Sequence, residues 1–150
     1  MSTSHVDARG LRFAAAITSV VLAVALLVVS PVREILVAAQ FGVFALGAFA
    51  GLDRSPYGIL FKTFARPLLG RPTHLEDSRP PRFAQLVGFA FVAIALVSLL
   101  LGATTLGLVA IAFALVAALL NATTGFCLGC ELYLVLRRVT STTPTPHVTH

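Results

Sequence analysis

The chain has 150 residues, of which 57% are hydrophobic and 11% charged, and its mean hydropathy is +0.93. A soluble domain carries about 25% charged residues, so the composition excludes an ordinary soluble protein and indicates an integral membrane protein. The net charge of +5 does not indicate nucleic-acid binding, because no basic stripe is interleaved with aromatic residues on a polar segment.

The sequence predicts an all-α fold, an integral membrane bundle of four transmembrane helices over residues 11–139. Residues 1–10 are polar and are predicted to form a loose N-terminal segment. The first hairpin, residues 11–52, holds two apolar runs separated by the turn that begins at Pro31, which ends the first helix. The first run is too long for the apolar part of a cleavable signal, so we expect it to be retained.

A basic loop, residues 53–82, follows the first hairpin. Ser55 and Pro56 are typical of a helix start, because serine caps helices and proline suits the first helical position. The next residues alternate between apolar side chains and the cations Lys62, Arg66 and Arg71. This pattern predicts an amphipathic helix that lies in the cytoplasmic membrane interface.

The second hairpin, residues 83–125, leads into a segment that contains both cysteines, residues 126–139. One straight helix from Leu106 to Arg137 would be about 47 Å long at ~1.5 Å per residue, whereas the hydrocarbon core is ~30 Å thick. The weak helix formers in residues 121–125 predict a break there. The Pro/Thr-rich tail, residues 140–150, is predicted to be disordered.

The basic residues predict the orientation. Ten of the 11 lie in the N-terminal segment, the loop at 53–82 and the C-terminal segment, and only Arg33 lies elsewhere. Cytoplasmic loops of membrane proteins carry an excess of Lys and Arg. We therefore expect a multi-pass protein of the cell's inner (plasma) membrane with both termini in the cytoplasm.

Two similar halves are a further hypothesis. The triplet Arg12-Phe13-Ala14 recurs as Arg82-Phe83-Ala84, and each copy opens a hairpin. At an offset of 71 residues, Pro56 aligns with Cys127, which would place Cys127 in the first turn of a new helix. Duplicated hairpins of this kind would be parallel repeats about an axis along the membrane normal. The alternative is chance similarity between two apolar segments.

Cys127 and Cys130 form a CxxC pair, followed at once by Glu131. At a helix N-terminus, unpaired N–H groups and the helix dipole favour the thiolate of the first cysteine. The predicted chemistry is thiol–disulfide exchange, with Cys127 attacking and Cys130 resolving, and Glu131 relaying protons if it is neutral. Gly129 would let a partner backbone approach closely.

Other interpretations stay open. The cysteines can serve as small packing residues, and Glu131 can extend to the interface instead of acting in catalysis. A CxxC pair can hold a soft metal ion, although zinc normally requires four ligands. Asn121 and Gln40 are interpreted as hydrogen-bonding groups between helices. The four histidines (His5, His74, His147 and His150) do not have ligand spacing to the cysteines, and no cofactor is predicted.

The stretch NATTGFCLGCELYL, residues 121–134, together with SPYG and the two RFA openings, resembles the bacterial membrane family known as domain of unknown function 4395. The resemblance covers roughly residues 7–139 and is most specific around Cys127, Cys130 and Glu131. It implies a redox or sulfur-relay setting beside a thioredoxin-like or rhodanese-like protein. It does not imply a substrate.

Taken together, the sequence predicts a lipid-embedded protein with a thiol–disulfide redox or sulfur-relay role at a membrane-edge CxxC pair. The alternatives are a non-enzymatic bundle that anchors or stabilises a partner, and a protein that handles soft metal ions. Nucleic acid is not an expected partner, and the oligomeric state is left open.

Overall fold

The computed structural model describes residues 5–72 and 74–141. Four of its helices are long and apolar enough to cross a membrane, which confirms the predicted four-helix membrane bundle. They span Ala8–Leu27 (α1), Val32–Ala50, Arg79–Leu100 (α5) and Thr104–Thr124 (α6). The second of them is regular over Val32–Ala45 (α2) and continues as a π-helical turn over Leu46–Ala50.

Short elements connect and follow the long helices. Between the hairpins lie a 3₁₀ turn at Leu52–Arg54, α3 at Pro56–Leu60, a π-helical turn at Phe61–Ala65 and α4 at Arg66–Leu69. Strand β1, His5–Asp7, pairs antiparallel with β2, Leu75–Asp77. The chain continues after α6 as α7, Leu128–Thr140.

The N-terminal segment differs from the loose segment that the sequence predicts. From His5 onward it forms β1, and α1 already begins at Ala8. The physical reason is the pair Asp7 and Arg9: the Asp7 carboxylate accepts the Arg9 backbone N–H at 3.0 Å. The Arg9 guanidinium also donates to carbonyl oxygens of the central loop, those of Leu69, Gly70 and Arg71. Residues 1–4 and most of the predicted tail, 142–150, lie outside the described residues.

The tightly packed part of the bundle lies towards the turns at residues 28–31 and 101–103. Its core side chains come from the second halves of α1 and α5, from the first half of α6, and from Val37 and Phe44 in α2. The largest fully buried apolar ones are Leu22, Ile111, Val37 and Val92. Gly107 allows this packing, because a Cβ there would meet the Leu99 side chain at 2.8 Å. Large apolar side chains such as Val20, Ile94 and Phe113 are exposed and would face lipid.

The fourth span is broken, as the excess length predicted. α6 runs to Thr124, and Gly125 ends it with φ 76° and ψ 3°, a left-handed conformation that glycine adopts without a Cβ penalty. The break comprises residues 125–127 and so begins at the last residue of the predicted stretch 121–125, because residues 121–124 remain helical. The hydroxyls of Thr123 and Thr124 donate to the carbonyls of Leu119 and Leu120, so both threonines fit within the helix.

Corresponding contacts recur in the two halves of the chain. The similarity between the openings extends to Asp-x-Arg-x-x-Arg-Phe-Ala, residues 7–14 and 77–84. Val6 and Glu76, which are 70 residues apart, face each other at the centre of the strand pair. Phe13 contacts Phe61 and Phe83 contacts Tyr133, both at a ring-centroid distance of 5.6 Å. These contacts fit an approximate twofold relation, while the duplication itself stays a prediction.

Candidate functional site

Cys127 and Cys130 lie at the N-terminus of α7. The structure joins them in a disulfide with a Cα–Cα distance of 5.2 Å, within the usual range of ~4.4–6.8 Å. Cys127 is the N-cap residue, and its Sγ accepts the backbone N–H of Cys130 at 3.2 Å. Its carbonyl accepts the N–H of Glu131 at 3.0 Å. Both cysteines are partly buried, so the fold provides the helix-terminal cysteine pair that the sequence predicted.

Gly129 holds α7 against α5. A Cβ at this position would lie 2.6 Å from the Ala84 Cα and 2.7 Å from its Cβ, so only glycine permits this approach. The sequence prediction that Gly129 admits the backbone of a partner is therefore replaced by an internal role, because the chain's own α5 occupies that face. The contact between the Phe83 and Tyr133 rings lies along the same helix pair.

Arg12 fixes the corner that precedes the cysteines. Its Nη2 donates to the carbonyl oxygens of Ala122 at 3.3 Å and Thr123 at 3.1 Å, in the last turn of α6. Arg82, in the equivalent position of the second half, donates to the Ala48 carbonyl at 3.1 Å. The carbonyls of a helix C-terminus have no partner within the helix and attract cations. Sequence reasoning missed this role, although the repeated Asp-x-Arg-x-x-Arg-Phe-Ala pattern could have indicated it.

A cavity of about 630 Å³ occupies the half of the bundle opposite the packed core, and both cysteines line its wall. Small residues leave this space, among them Ala14 in α1 and Ala117 and Ala118 in α6. Ligand pockets typically measure 300–1,000 Å³ and have mostly apolar walls. The charged residues of the wall lie at one end, where Lys62 pairs with Asp53 at 2.7 Å.

Uncharged polar side chains also border the cavity, among them Thr18, Tyr57, Gln85 and Asn121. The Tyr57 hydroxyl donates to Gln40 Oε1 at 2.7 Å, and Gln40 Nε2 donates to Thr18 Oγ1 at 3.3 Å. Gln40 is thus the interhelical hydrogen-bonding residue that was predicted, and burial raises the pKa of Tyr57. In contrast, the side-chain amides of Gln85 and Asn121 have no hydrogen-bond partner among residues 5–72 and 74–141.

Glu131 lies on the other side of the cysteine pair. It is exposed in the first turn of α7. A smaller cavity of about 250 Å³ is bordered by Glu131, both cysteines, Glu76 and Asp77. The disulfide therefore separates a large cavity inside the bundle from a small acidic one at its edge.

Two Asp–Arg pairs fasten the elements beside the site. Hydrogen bonds from Arg79 to the exposed Asp77 hold the pKa of that carboxyl down to about 2. Burial raises the pKa of Asp7, but hydrogen bonds and charge from Arg9 outweigh this effect and leave it lowered. Both pairs flank the strands β1 and β2.

Metal binding has no preformed ligand set in the part of the chain that the structure describes, where no three His, Cys, Asp or Glu side chains cluster. His74 lies 3.9 Å from the Glu76 carboxylate, in the central loop. His147 and His150 fall outside the described residues.

Comparison with known proteins places the chain in one family. A family model described as "Domain of unknown function (DUF4395)" matches residues 6–138, most of the chain. No curated protein and no solved structure matches it.

Proposed function

We propose that this chain, which belongs to the DUF4395 family, performs thiol–disulfide exchange at the membrane edge through Cys127 and Cys130. One observation carries the proposal: the Sγ of Cys127 occupies an N-cap and accepts a backbone N–H at 3.2 Å. A sulfur in that position is stabilised as a thiolate, and the thiolate is the reactive form in exchange.

The two cysteines have different roles in this proposal. A partner thiolate attacks the Sγ of Cys127, a new S–S bond forms between the chains, and the sulfur of Cys130 leaves as a thiolate. A second thiol of the partner then attacks the mixed disulfide and releases Cys127. The partner leaves oxidised, and the chain keeps a reduced Cys127/Cys130 pair. A thioredoxin-like protein is the partner class that supplies two such thiols.

Glu131 is proposed to exchange protons at this site, because it borders the same small cavity as both sulfurs. Exchange consumes and releases protons as thiols become thiolates. We further propose that the site faces the cytoplasm of a plasma-membrane protein, as the basic residues predict. In the sulfur-relay form of the same proposal, the thiolate of Cys127 in the reduced pair attacks the outer sulfur of a persulfide on a rhodanese-like partner. Cys127 then carries the persulfide, and the partner's cysteine leaves as a thiolate.

The test uses single-cysteine variants of the full chain in detergent. Each is mixed with a thioredoxin that lacks its resolving cysteine and is activated as a thionitrobenzoate mixed disulfide. Cys130→Ser, which keeps Cys127, should form the mixed disulfide at least tenfold faster than Cys127→Ser. The wild-type pair should also be reduced and reoxidised reversibly in dithiothreitol redox buffers, measured by thiol alkylation. Exchange would be refuted if both variants form the mixed disulfide equally slowly and the wild-type Cys127/Cys130 disulfide resists reduction by dithiothreitol.

A structural disulfide is the second candidate, and the close contact of Gly129 with Ala84 favours it. In that case the bond fastens the corner between α6 and α7 within a non-enzymatic bundle. Its removal by Cys127→Ser/Cys130→Ser would lower the unfolding midpoint by the same amount as reduction of the wild-type chain. Neither single variant would then form an adduct with the activated thioredoxin.

A further inference from the structure

We propose that the 630 Å³ cavity binds a membrane-soluble quinone, which accepts the electrons that leave the Cys127/Cys130 pair. This inference rests on the exchange reaction proposed above, because that reaction leaves the pair reduced and requires an electron acceptor. It adds a binding site and the chemical class of its ligand.

The position of the disulfide supports two separate partners. Both cysteines line the large cavity inside the bundle and also border the small acidic cavity at its edge. A protein partner has the size to approach only from the edge. The inner cavity is lined by α1, α5 and α6 and, at one end, by the central loop, so it has room only for a small molecule, which can reach it from the bilayer.

The polar groups of the cavity fit a ligand with carbonyl oxygens. The amides of Gln85 in α5 and Asn121 in α6 line the cavity and have no hydrogen-bond partner in the described segments 5–72 and 74–141. A ligand that covers these amides is disfavoured unless it pairs them, and each –NH₂ group can donate to a carbonyl. A quinone ring presents two carbonyl oxygens on a flat apolar body, and small residues such as Ala14 and Ala118 leave room for it.

The chemistry balances with a quinone and no other reagent. The reduced pair loses two electrons and two protons as its two S–H bonds break and the Cys127–Cys130 S–S bond forms. The quinone gains both electrons and both protons and becomes a hydroquinone with two O–H bonds. The regenerated disulfide then oxidises the next partner dithiol, so each cycle moves one electron pair from that dithiol to the quinone.

The experiment uses the purified full chain in nanodiscs and decyl-ubiquinone as the probe. The pair is reduced, the reductant is removed without oxygen, and loss of quinone absorbance is followed together with the thiol count. We expect one quinone reduced per two thiols lost. Cys127→Ser/Cys130→Ser should bind the probe in a saturable thermal shift but reduce none, which separates binding from electron transfer.

Cavity variants locate the reaction. Ala118→Leu fills the cavity, and Gln85→Leu and Asn121→Leu remove its free amides, so each should weaken probe binding at least tenfold. Ala39→Leu adds the same bulk on an exposed position of α2 and should bind like the wild type. Equal quinone reduction by Ala118→Leu and Ala39→Leu, or no saturable binding to the double serine variant, would overturn the proposal. If the pair exchanges with thioredoxin but reduces no quinone, the quinone site fails while the exchange function stands.

Discussion

The guanidinium of Arg12 lies 3.1 Å from the carbonyl oxygen of Thr123, across 111 residues of sequence. This hydrogen bond joins the start of the first transmembrane helix to the end of the fourth. It therefore sets the corner at Gly125, which in turn determines where α7 begins and where the Cys127 sulfur lies.

Arg12→Gln should loosen this corner. The variant loses a charged donor to the last turn of α6, and because Arg12 is exposed, the loss in the free energy of unfolding should be at most about 1 kcal/mol. Faster reduction of the disulfide by dithiothreitol should accompany it. Arg54→Gln is the matched control, since no hydrogen bond is formed by the Arg54 side chain within the described residues. Equal reduction rates for the two variants would contradict a role for Arg12 at the site.

Gly129→Ala should destabilise the protein. The new Cβ would lie 2.6 Å from the Ala84 Cα, so α7 must move away from α5, at a cost of about 1–3 kcal/mol. Gly42→Ala makes the same change in α2, where nothing lies within 4 Å of the new atom, and should be neutral or stabilising. Unfolding in mixed micelles of increasing SDS fraction measures both. The expected order of midpoints is Gly42→Ala at or above the wild type and Gly129→Ala below it.

Tyr57→Phe tests the polar link between α3 and the bundle. The change removes the donor to Gln40 Oε1 and leaves that buried oxygen without a partner, which should cost about 1–3 kcal/mol. Tyr133→Phe deletes a hydroxyl that has no hydrogen bond within the part of the chain described. The difference between the two SDS midpoints isolates the hydrogen bond. If the midpoints coincide, Tyr57 does not anchor α3.

Asp77 provides a pH-dependent contact. Its pKa is lowered to about 2 by hydrogen bonds from Arg79. A lowered folded-state pKa stabilises the fold above the unfolded value of about 3.8, and this contribution is lost as the pH falls through about 2. Arg79→Gln should return the Asp77 carboxyl to its ordinary pKa, measured by ¹³C NMR titration of labelled aspartate. A titration midpoint that stays near 2 in this variant would show that Arg79 is not the cause.

The orientation is tested by single cysteines in a background without Cys127 and Cys130. His74→Cys, in the central loop, should react with a membrane-impermeant reagent only after cell lysis. Ala103→Cys, in the turn between α5 and α6, should react in intact cells. The reason is the excess of Lys and Arg in the segments beside residue 74. Labelling of residue 74 in intact cells would reverse the predicted topology.

Sequence reasoning was strongest where one physical requirement dominates. The apolar runs predicted the four spans, because a helix needs about 20 consecutive apolar residues to cross a bilayer. The excess length after Leu106 predicted the break, and Gly125 sets its location. The alignment that matched Pro56 to Cys127 placed a helix start at the cysteines, and α7 does begin there. However, the N-cap residues of α3 and α7 are Ser55 and Cys127, so these two helices correspond at an offset of 72 residues and not 71.

Features that depend on tertiary contacts were missed. Strands β1 and β2 have only three residues each, which is too short for an alternation of apolar and polar side chains to be recognised in the sequence. The role of Gly129 depends on Ala84, which lies 45 residues earlier, and the sequence does not show that α7 returns to α5. The large cavity arises because alanines from several helices face the same space, and no single helix predicts it.

The pairing of β1 with β2 restricts how many times the intervening chain can cross the bilayer. Backbone hydrogen bonds connect His5–Asp7 with Leu75–Asp77, and two paired strands must share one aqueous compartment. The chain between the strands must therefore cross the bilayer an even number of times. The two helices α1 and α2 satisfy this requirement, whereas one or three crossing helices would not. During synthesis the sheet can close only after residue 77 has left the ribosome, and so only after the whole first hairpin has been made. A first hairpin that does not return to the side of its N-terminus leaves both strands unpaired.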